Sequence, residues 1–188
     1  MLVLFFLVTP RPNELVYVAD DGSLEFLGPS RTYGWEAKSS VAITRNLSLN
    51  GGITKVSNAF YRGTAPRVYV DRAPHFVANA GLTLAEWRGW SGSLRLRAIN
   101  SYRLDGEDAG LRAAGHTVAD FSVMRRLSKR ADLSFGADNL TDRQYLETQN
   151  YVELRPYRNG PAGFGIHGTP GYPLTLTVGL TFRLGAKD

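Results

Sequence analysis

Leu174-Thr175-Leu176-Thr177-Val178-Gly179-Leu180-Thr181-Phe182-Arg183-Leu184 alternates apolar with small or polar residues without a break. Successive side chains of a strand point to opposite faces, so Leu174, Leu176, Val178, Leu180, Phe182 and Leu184 share one face and Thr175, Thr177, Gly179, Thr181 and Arg183 the other. The run matches the roughly 9–11 residues with which a tilted strand crosses a bilayer. A soluble sandwich or lipocalin-like barrel also alternates, but it turns its apolar face inward and fills its interior. The opposite face here is small and polar, which suits a wide lumen.

The same period runs upstream. Residues 33–44 pair with 47–57, 76–84 with 93–102, and 118–126 with 132–140. Connections within the pairs are short (45–46, 85–92, 127–130), and those between them are long (58–74, 103–116, 141–171) and rich in Gly, Pro, Arg, Tyr and Asp. Short turns on one rim and long loops on the other are the pattern of an outer-membrane barrel. Charge sets the phase: slipping Leu94-Arg95-Leu96-Arg97-Ala98 by one residue would aim two arginines at hydrocarbon, at about 2–4 kcal/mol each near the midplane. Trp35, Ala37, Val41 and Ile43 therefore face lipid against Glu36 and Lys38, Phe121 and Val123 against Asp120 and Ser122, and Phe76, Leu82 and Leu84 against Asn79 and Thr83. Ser48, Asn50, Gly52 and Thr54 join the lumen face.

The expected fold is all-β: an antiparallel up-and-down transmembrane β-barrel fragment of about eight strands, forming an open curved sheet when taken alone. The first strand is expected to be partial, within a hairpin of residues 15–18 and 24–27 around Asp20-Asp21-Gly22. Residues 1–8 are apolar but do not alternate, so 1–12 are expected to be an irregular or truncated N-terminal segment and 13–188 the barrel portion.

Composition narrows the function classes. No apolar stretch approaches the ~20 residues of a transmembrane helix. The absence of Cys excludes disulfides, thiolate metal sites and a cysteine nucleophile. The formal charge of +5 arises from Lys and Arg spread singly along strands, without a nucleic-acid motif, so no nucleic-acid partner is expected. No G-x-S-x-G or H-E-x-x-H spacing supports catalysis, and no cofactor or metal is expected. His75, His116 and His167 lie apart, each in or beside a long loop, and are expected to be solvated rim residues. Asp105, Glu107 and Asp108 lack a calcium-loop spacing and suit a solvated acidic loop.

The long connections carry Arg62, Arg67, Tyr69, Arg72, Tyr102, Arg103, Tyr151, Arg155, Tyr157 and Arg158. Arginine and tyrosine together suit an anionic, partly aromatic ligand, through charge-assisted hydrogen bonds and stacking. The plainer role is loop packing with contact to lipopolysaccharide phosphates. Trp35, Trp87, Trp90, Tyr33 and Tyr172 fall near strand ends, where aromatic girdles anchor a barrel among lipids.

Gly136-Ala137-Asp138-Asn139-Leu140-Thr141-Asp142-Arg143-Gln144-Tyr145 resembles the x-N-L-[FT]-D-x-x-Y segment that ends the penultimate strand of TonB-dependent outer-membrane receptors. Tyr33-Gly34-Trp35-Glu36-Ala37, Arg72-Ala73-Pro74-His75 and His116-Thr117-Val118-Ala119-Asp120 are similar to strand openings in the same family. The resemblance spans about residues 13–184. It implies the C-terminal portion of a barrel of about 22 strands, without the plug domain and TonB box that precede it in the family. Asn139, Leu140, Asp142 and Tyr145 would be the structural motif, fixing the exit of the strand through hydrogen bonds to turn backbone. The implied parent function is uptake of a scarce ligand, such as a ferric siderophore, energised through TonB in the bacterial outer membrane, without enzymatic activity. The final strand, with an aromatic near its end, would be the signal read by the barrel-assembly machinery, imperfectly because Gly185-Ala186-Lys187-Asp188 follows it. The alternatives are a self-contained small outer-membrane barrel with a structural or adhesion role, and a soluble β-domain.

Overall fold

A strand that is apolar on one face and polar on the other must hold its neighbours in a register that continues both faces. The computed structural model, which describes all residues except 14, 19–22, 27, 156 and 185–188, shows that continuity across the whole sheet. The chain runs through β1 (Leu2–Arg11), the hairpin β2 (Leu15–Val18) and β3 (Ser23–Phe26), β4 (Ser30–Ala42), β5 (Leu47–Tyr61), β6 (Phe76–Trp87) and β7 (Trp90–Ile99). It continues through β8 (Tyr102–Arg103), β9 (Arg112–Ala113), β10 (His116–Arg126), β11 (Ala131–Asp138), the hairpin β12 (Leu146–Leu154) and β13 (Gly163–Pro170), and β14 (Thr175–Phe182). Eight of these form one antiparallel sheet in the order β1-β4-β5-β6-β7-β10-β11-β14, and β1 and β14 do not pair with each other.

Val41, Leu49, Leu82, Leu94, Phe121, Ala137 and Leu176 stand opposite one another from β4 to β14. One residue along, Ala42, Ser48, Thr83, Ser93, Ser122, Gly136 and Thr177 make the corresponding row on the other face. Most of the apolar row is exposed: Val41, Leu49, Leu82, Leu94 and Leu176 are bare, Leu176 at 62%, while the small Ala137 is buried. In water such a face would be untenable, and in a bilayer it is the lipid-facing wall.

Several expectations are corrected. Residues 2–11 are a strand, not an irregular segment, and this strand, rather than the hairpin of β2 and β3, is the first of the eight. Backbone ladder bonds do not require alternation, so a run that is apolar on both faces still pairs; its Leu4, Phe6 and Val8 continue the outward face of Ala37, Trp35 and Tyr33. β2 and β3 form a separate two-stranded sheet, and the turn at 20–22 lies outside the described residues. The 85–92 connection is only two residues long, because Trp87 pairs with Trp90 and both Arg88 (φ 52°) and Gly89 (φ 81°) take the positive φ of a type I′ turn. The last strand spans Thr175–Phe182, with Leu174 and Leu184 just beyond its ends; the tail at 185–188 lies outside the described residues. Two long connections hold hairpins of their own, β8 with β9 and β12 with β13.

Candidate functional site

Among the described residues, the long-loop end of β10 and β11 is closely enclosed, with Val118, Ala119, Asp120, Ala137 and Asn139 all buried. Asn139 follows β11 at φ 49°, a left-handed conformation that asparagine tolerates better than most residues. Its Nδ2 donates to the carbonyls of Arg143 and Tyr172, both at 2.9 Å, and its Oδ1 accepts from the Arg143 amide at 2.9 Å. One side chain thus ties the end of β11, the start of the last loop and the segment before β14. Asp142, at φ 48°, accepts from the Leu174 amide at 3.3 Å. The Tyr145 ring packs on His116 (centroids 4.6 Å apart) and lies where a Cβ on Gly171 would meet it at 2.1 Å, so only glycine fits there. Leu140 is exposed, its amide bonded to the Ala119 carbonyl at 2.7 Å.

Below this knot, on the lumen face, Asp120 accepts from Arg95 Nη2 at 3.1 Å and from the Asn139 amide at 3.1 Å. Arg97 Nε lies 3.4 Å from the same carboxylate, and its Nη1 lies 3.9 Å from Glu147, which accepts from the Tyr145 hydroxyl at 2.9 Å. Burial, then the Glu147 carboxylate, push the Tyr145 hydroxyl above its ordinary value. The cluster closes its charges internally, so it serves to hold the last loop over the lumen wall.

The ten loop arginines and tyrosines divide into two places. Tyr69 bridges Phe60 at the top of β5; the Arg67 guanidinium lies 4.6 Å over the Phe60 ring, and that of Arg103 lies 4.5 Å over the Tyr69 ring. Arg72 pairs with Asp71 at 2.9 Å and its amide donates to the Arg103 carbonyl at 2.8 Å. Tyr102 and Arg103 form β8, and Arg62 is exposed with its amide on the Pro29 carbonyl at 2.7 Å. The second place is the β12–β13 hairpin. Tyr151 packs on Phe164 (centroids 5.6 Å apart), and Arg155, Tyr157 and Arg158 are exposed between the two strands. Gln149 joins the hairpin to the neighbouring loop: its Oε1 accepts from the Ala114 amide at 3.0 Å and its Nε2 donates to the Ala114 carbonyl at 2.9 Å.

A family model described as TonB dependent receptor-like, beta-barrel, matches residues 9–140. The chain belongs to this family. Among solved structures, the ferric-catecholate import receptor Fiu of E. coli K12 in its closed form superposes with a TM-score of 0.68 at 21% identity, over 96% of this chain and 25% of that one. The siderophore receptor PiuA of Acinetobacter baumannii gives 0.68 at 14% identity, over 96% and 26%. The copper transporter OprC gives 0.62 at 20% identity, over 96% and 29%. No curated protein matches the chain. The chain therefore spans about a quarter of the length of these solved structures.

As a member of the TonB dependent receptor-like, beta-barrel family, the chain contributes its sheet to a barrel wall in the outer membrane. Among the described residues no group of three or more potential ligands is placed to hold a metal ion. His116 is buried beneath Tyr145 rather than solvated, while His75 is half-buried and His167 exposed. Burial, then the charges of Lys55, Arg112 and Arg103, hold the His75 pKa below its ordinary value. Asp105 accepts from the amides of Glu107 and Asp108, both at 2.7 Å, which makes the acidic loop a self-bonded turn. Gln149 has no counterpart in the sequence reading; nothing in its local pattern distinguishes it from a solvated loop glutamine.

Proposed function

We propose that the complete protein takes up a scarce anionic ligand of the ferric-siderophore class, energised through TonB, and that these residues supply part of its lumen wall and extracellular mouth. Membership of the receptor family over residues 9–140 carries this reading. The small polar row of Ser48, Thr83, Ser93, Ser122 and Thr177 supports it, since such a face leaves room for a wide lumen. Within the mouth, the β12–β13 hairpin is the better placed of the two groups for ligand. Arg155, Tyr157 and Arg158 are exposed there, next to a stacked aromatic pair, and none is occupied by an ion pair among the described residues. Their guanidinium and phenol groups suit carboxylate, catecholate and aromatic parts of a chelate. The final strand, ending at Phe182, is assigned to the barrel-assembly machinery.

Uptake of radiolabelled ferric catecholate by cells that carry the gene, against cells deleted for it, tests the proposal under iron limitation. Uptake should fall in the deletion strain and partly return with Arg155→Ala/Arg158→Ala. Unchanged iron uptake with loss of copper uptake would move the ligand to the class transported by OprC.

A further inference from the structure

The outward face of the sheet is graded along its height. From the short-turn rim upward, β4 presents Val41, Ser39, Ala37, Trp35, Tyr33 and then Arg31 on this face. β5 presents Leu47, Leu49, Gly51 and Ile53, and then Lys55, which stands in register with Trp35 on one side and Phe76 on the other. A lysine in the lipid-facing row is tolerated only where the hydrocarbon ends. The aromatic residues flanking it mark that level as the interface.

Above Lys55 the positive charge accumulates. The register shift between Tyr33 and Gly34 places Asn58 opposite Tyr33 and Phe60 opposite Arg31, so Phe60 stays on the outward face, edge-on to Tyr33 at 6.5 Å. Arg67 covers that ring, and Tyr69, bridged to Phe60, is covered by Arg103. Arg31, Lys55, Arg67 and Arg103 therefore stand on or against the outer wall, not on its lumen side. Among the described residues none of the four has an acidic partner within ion-pair distance. The acids closest in sequence to Arg67 and Arg103 are already engaged, Asp71 by Arg72 and Asp105 by backbone amides, and Glu36, five residues from Arg31, pairs with Lys38. Burial first, and then Lys55, Arg112 and Arg103, lower the His75 pKa beside this strip.

We propose that this strip binds the phosphate groups of lipopolysaccharide in the outer leaflet, with Arg31, Lys55 and Arg67 as the contacting cations. Charge and depth select the partner: the strip stands just above the apolar band, where the phosphorylated sugars of that glycolipid stand, and aromatic rings beside the cations suit sugar faces. The inference does not depend on which ligand the receptor transports.

The test uses the complete receptor extracted from outer membranes, titrated with bis-phosphorylated lipid A, with the same lipid A after enzymatic removal of its phosphates, and with phosphatidylglycerol, bound lipid being counted by native mass spectrometry. Bis-phosphorylated lipid A should bind at least about tenfold more tightly than either of the others, and Arg31→Ala/Lys55→Ala/Arg67→Ala should abolish that preference. Arg155→Ala/Arg158→Ala, on the other hairpin, should leave it unchanged. Equal binding of the three lipids by the unsubstituted receptor would overturn the proposal, as would a triple variant that keeps the full preference. The comparison on the unsubstituted receptor stands even where the triple variant fails to reach its heat-modifiable folded form.

Discussion

Asn139 combines two demands that few side chains meet together. Its backbone is left-handed at φ 49°, and its buried amide group meets one N–H and two carbonyls of the part-buried last loop. Asn139→Gly keeps the conformation and loses the bonds, whereas Asn139→Asp keeps the acceptor toward Arg143 but sets a carboxylate against the two carbonyls. Each variant should lower folding stability in lipid by about 1–3 kcal/mol, measured by urea unfolding, because each lost hydrogen bond is worth about 0.5–1.5 kcal/mol. Loss of less than about 0.5 kcal/mol in both would remove Asn139 from this role. His75 offers a separate residue-scale test. Its pKa lies lower in the fold than in the unfolded chain, chiefly through burial and then through Lys55, Arg112 and Arg103. Between the lowered value and the ordinary value near 6.5, the unfolded chain binds the proton that the fold resists. The stability tied to His75 is therefore complete above that window and is lost as pH falls through it. Limited proteolysis of the 62–75 loop should accelerate on acidification toward pH ~5, and His75→Gln should flatten the dependence; an identical pH response in the variant would dismiss the mechanism.

At the scale of elements, the β12–β13 hairpin rests on the neighbouring loop through both polar atoms of Gln149, which is 5% exposed. Gln149→Ala removes both bonds and leaves the Ala114 amide and carbonyl without this partner. Amide hydrogen exchange over 146–170 should quicken about tenfold, as expected for a loss of about 1.4 kcal/mol, while exchange in β5–β7 stays unchanged. Unaltered exchange in the hairpin would show that other contacts hold it. The elements differ in how far they could be read in advance. The wall strands were legible because lipid on one side and lumen on the other impose opposite chemistry on alternate residues, as in Leu94-Arg95-Leu96-Arg97. β1 was not, since Leu2, Val3, Leu4 and Phe5 are apolar on both faces and its pairing rests on backbone bonds. The loop hairpins meet no lipid, so nothing forces alternation on them. The chemistry of Asn139, Asp142 and Tyr145 could be anticipated from their types and spacing, whereas the partners of Gln149 and the outward turn of Arg67 depend on how distant loops meet.

The whole molecule is governed by one asymmetry, an apolar row and a small polar row offset by a single residue across seven consecutive strands. Because the hydrophobic effect of the membrane acts on one face only, adjacent residues at the same height should respond oppositely to the same substitution. Leu94 sits midway along β7 in the outward row between Leu82 and Phe121, and Ser93 sits beside it in the lumen row, bonded through its hydroxyl to Ser122 at 2.9 Å. Leu94→Arg places a guanidinium in hydrocarbon and should cost about 2–4 kcal/mol in folding into lipid vesicles. Ser93→Arg loses one hydroxyl bond but keeps its charge in the wet lumen, and should cost no more than about 1 kcal/mol. The fraction of receptor reaching its heat-modifiable form in vesicles, titrated with urea, measures both. Equal penalties, or a larger one at Ser93, would mean that the face carrying Leu94 does not meet lipid, and the assignment of outward and lumen rows would have to be exchanged along the entire sheet.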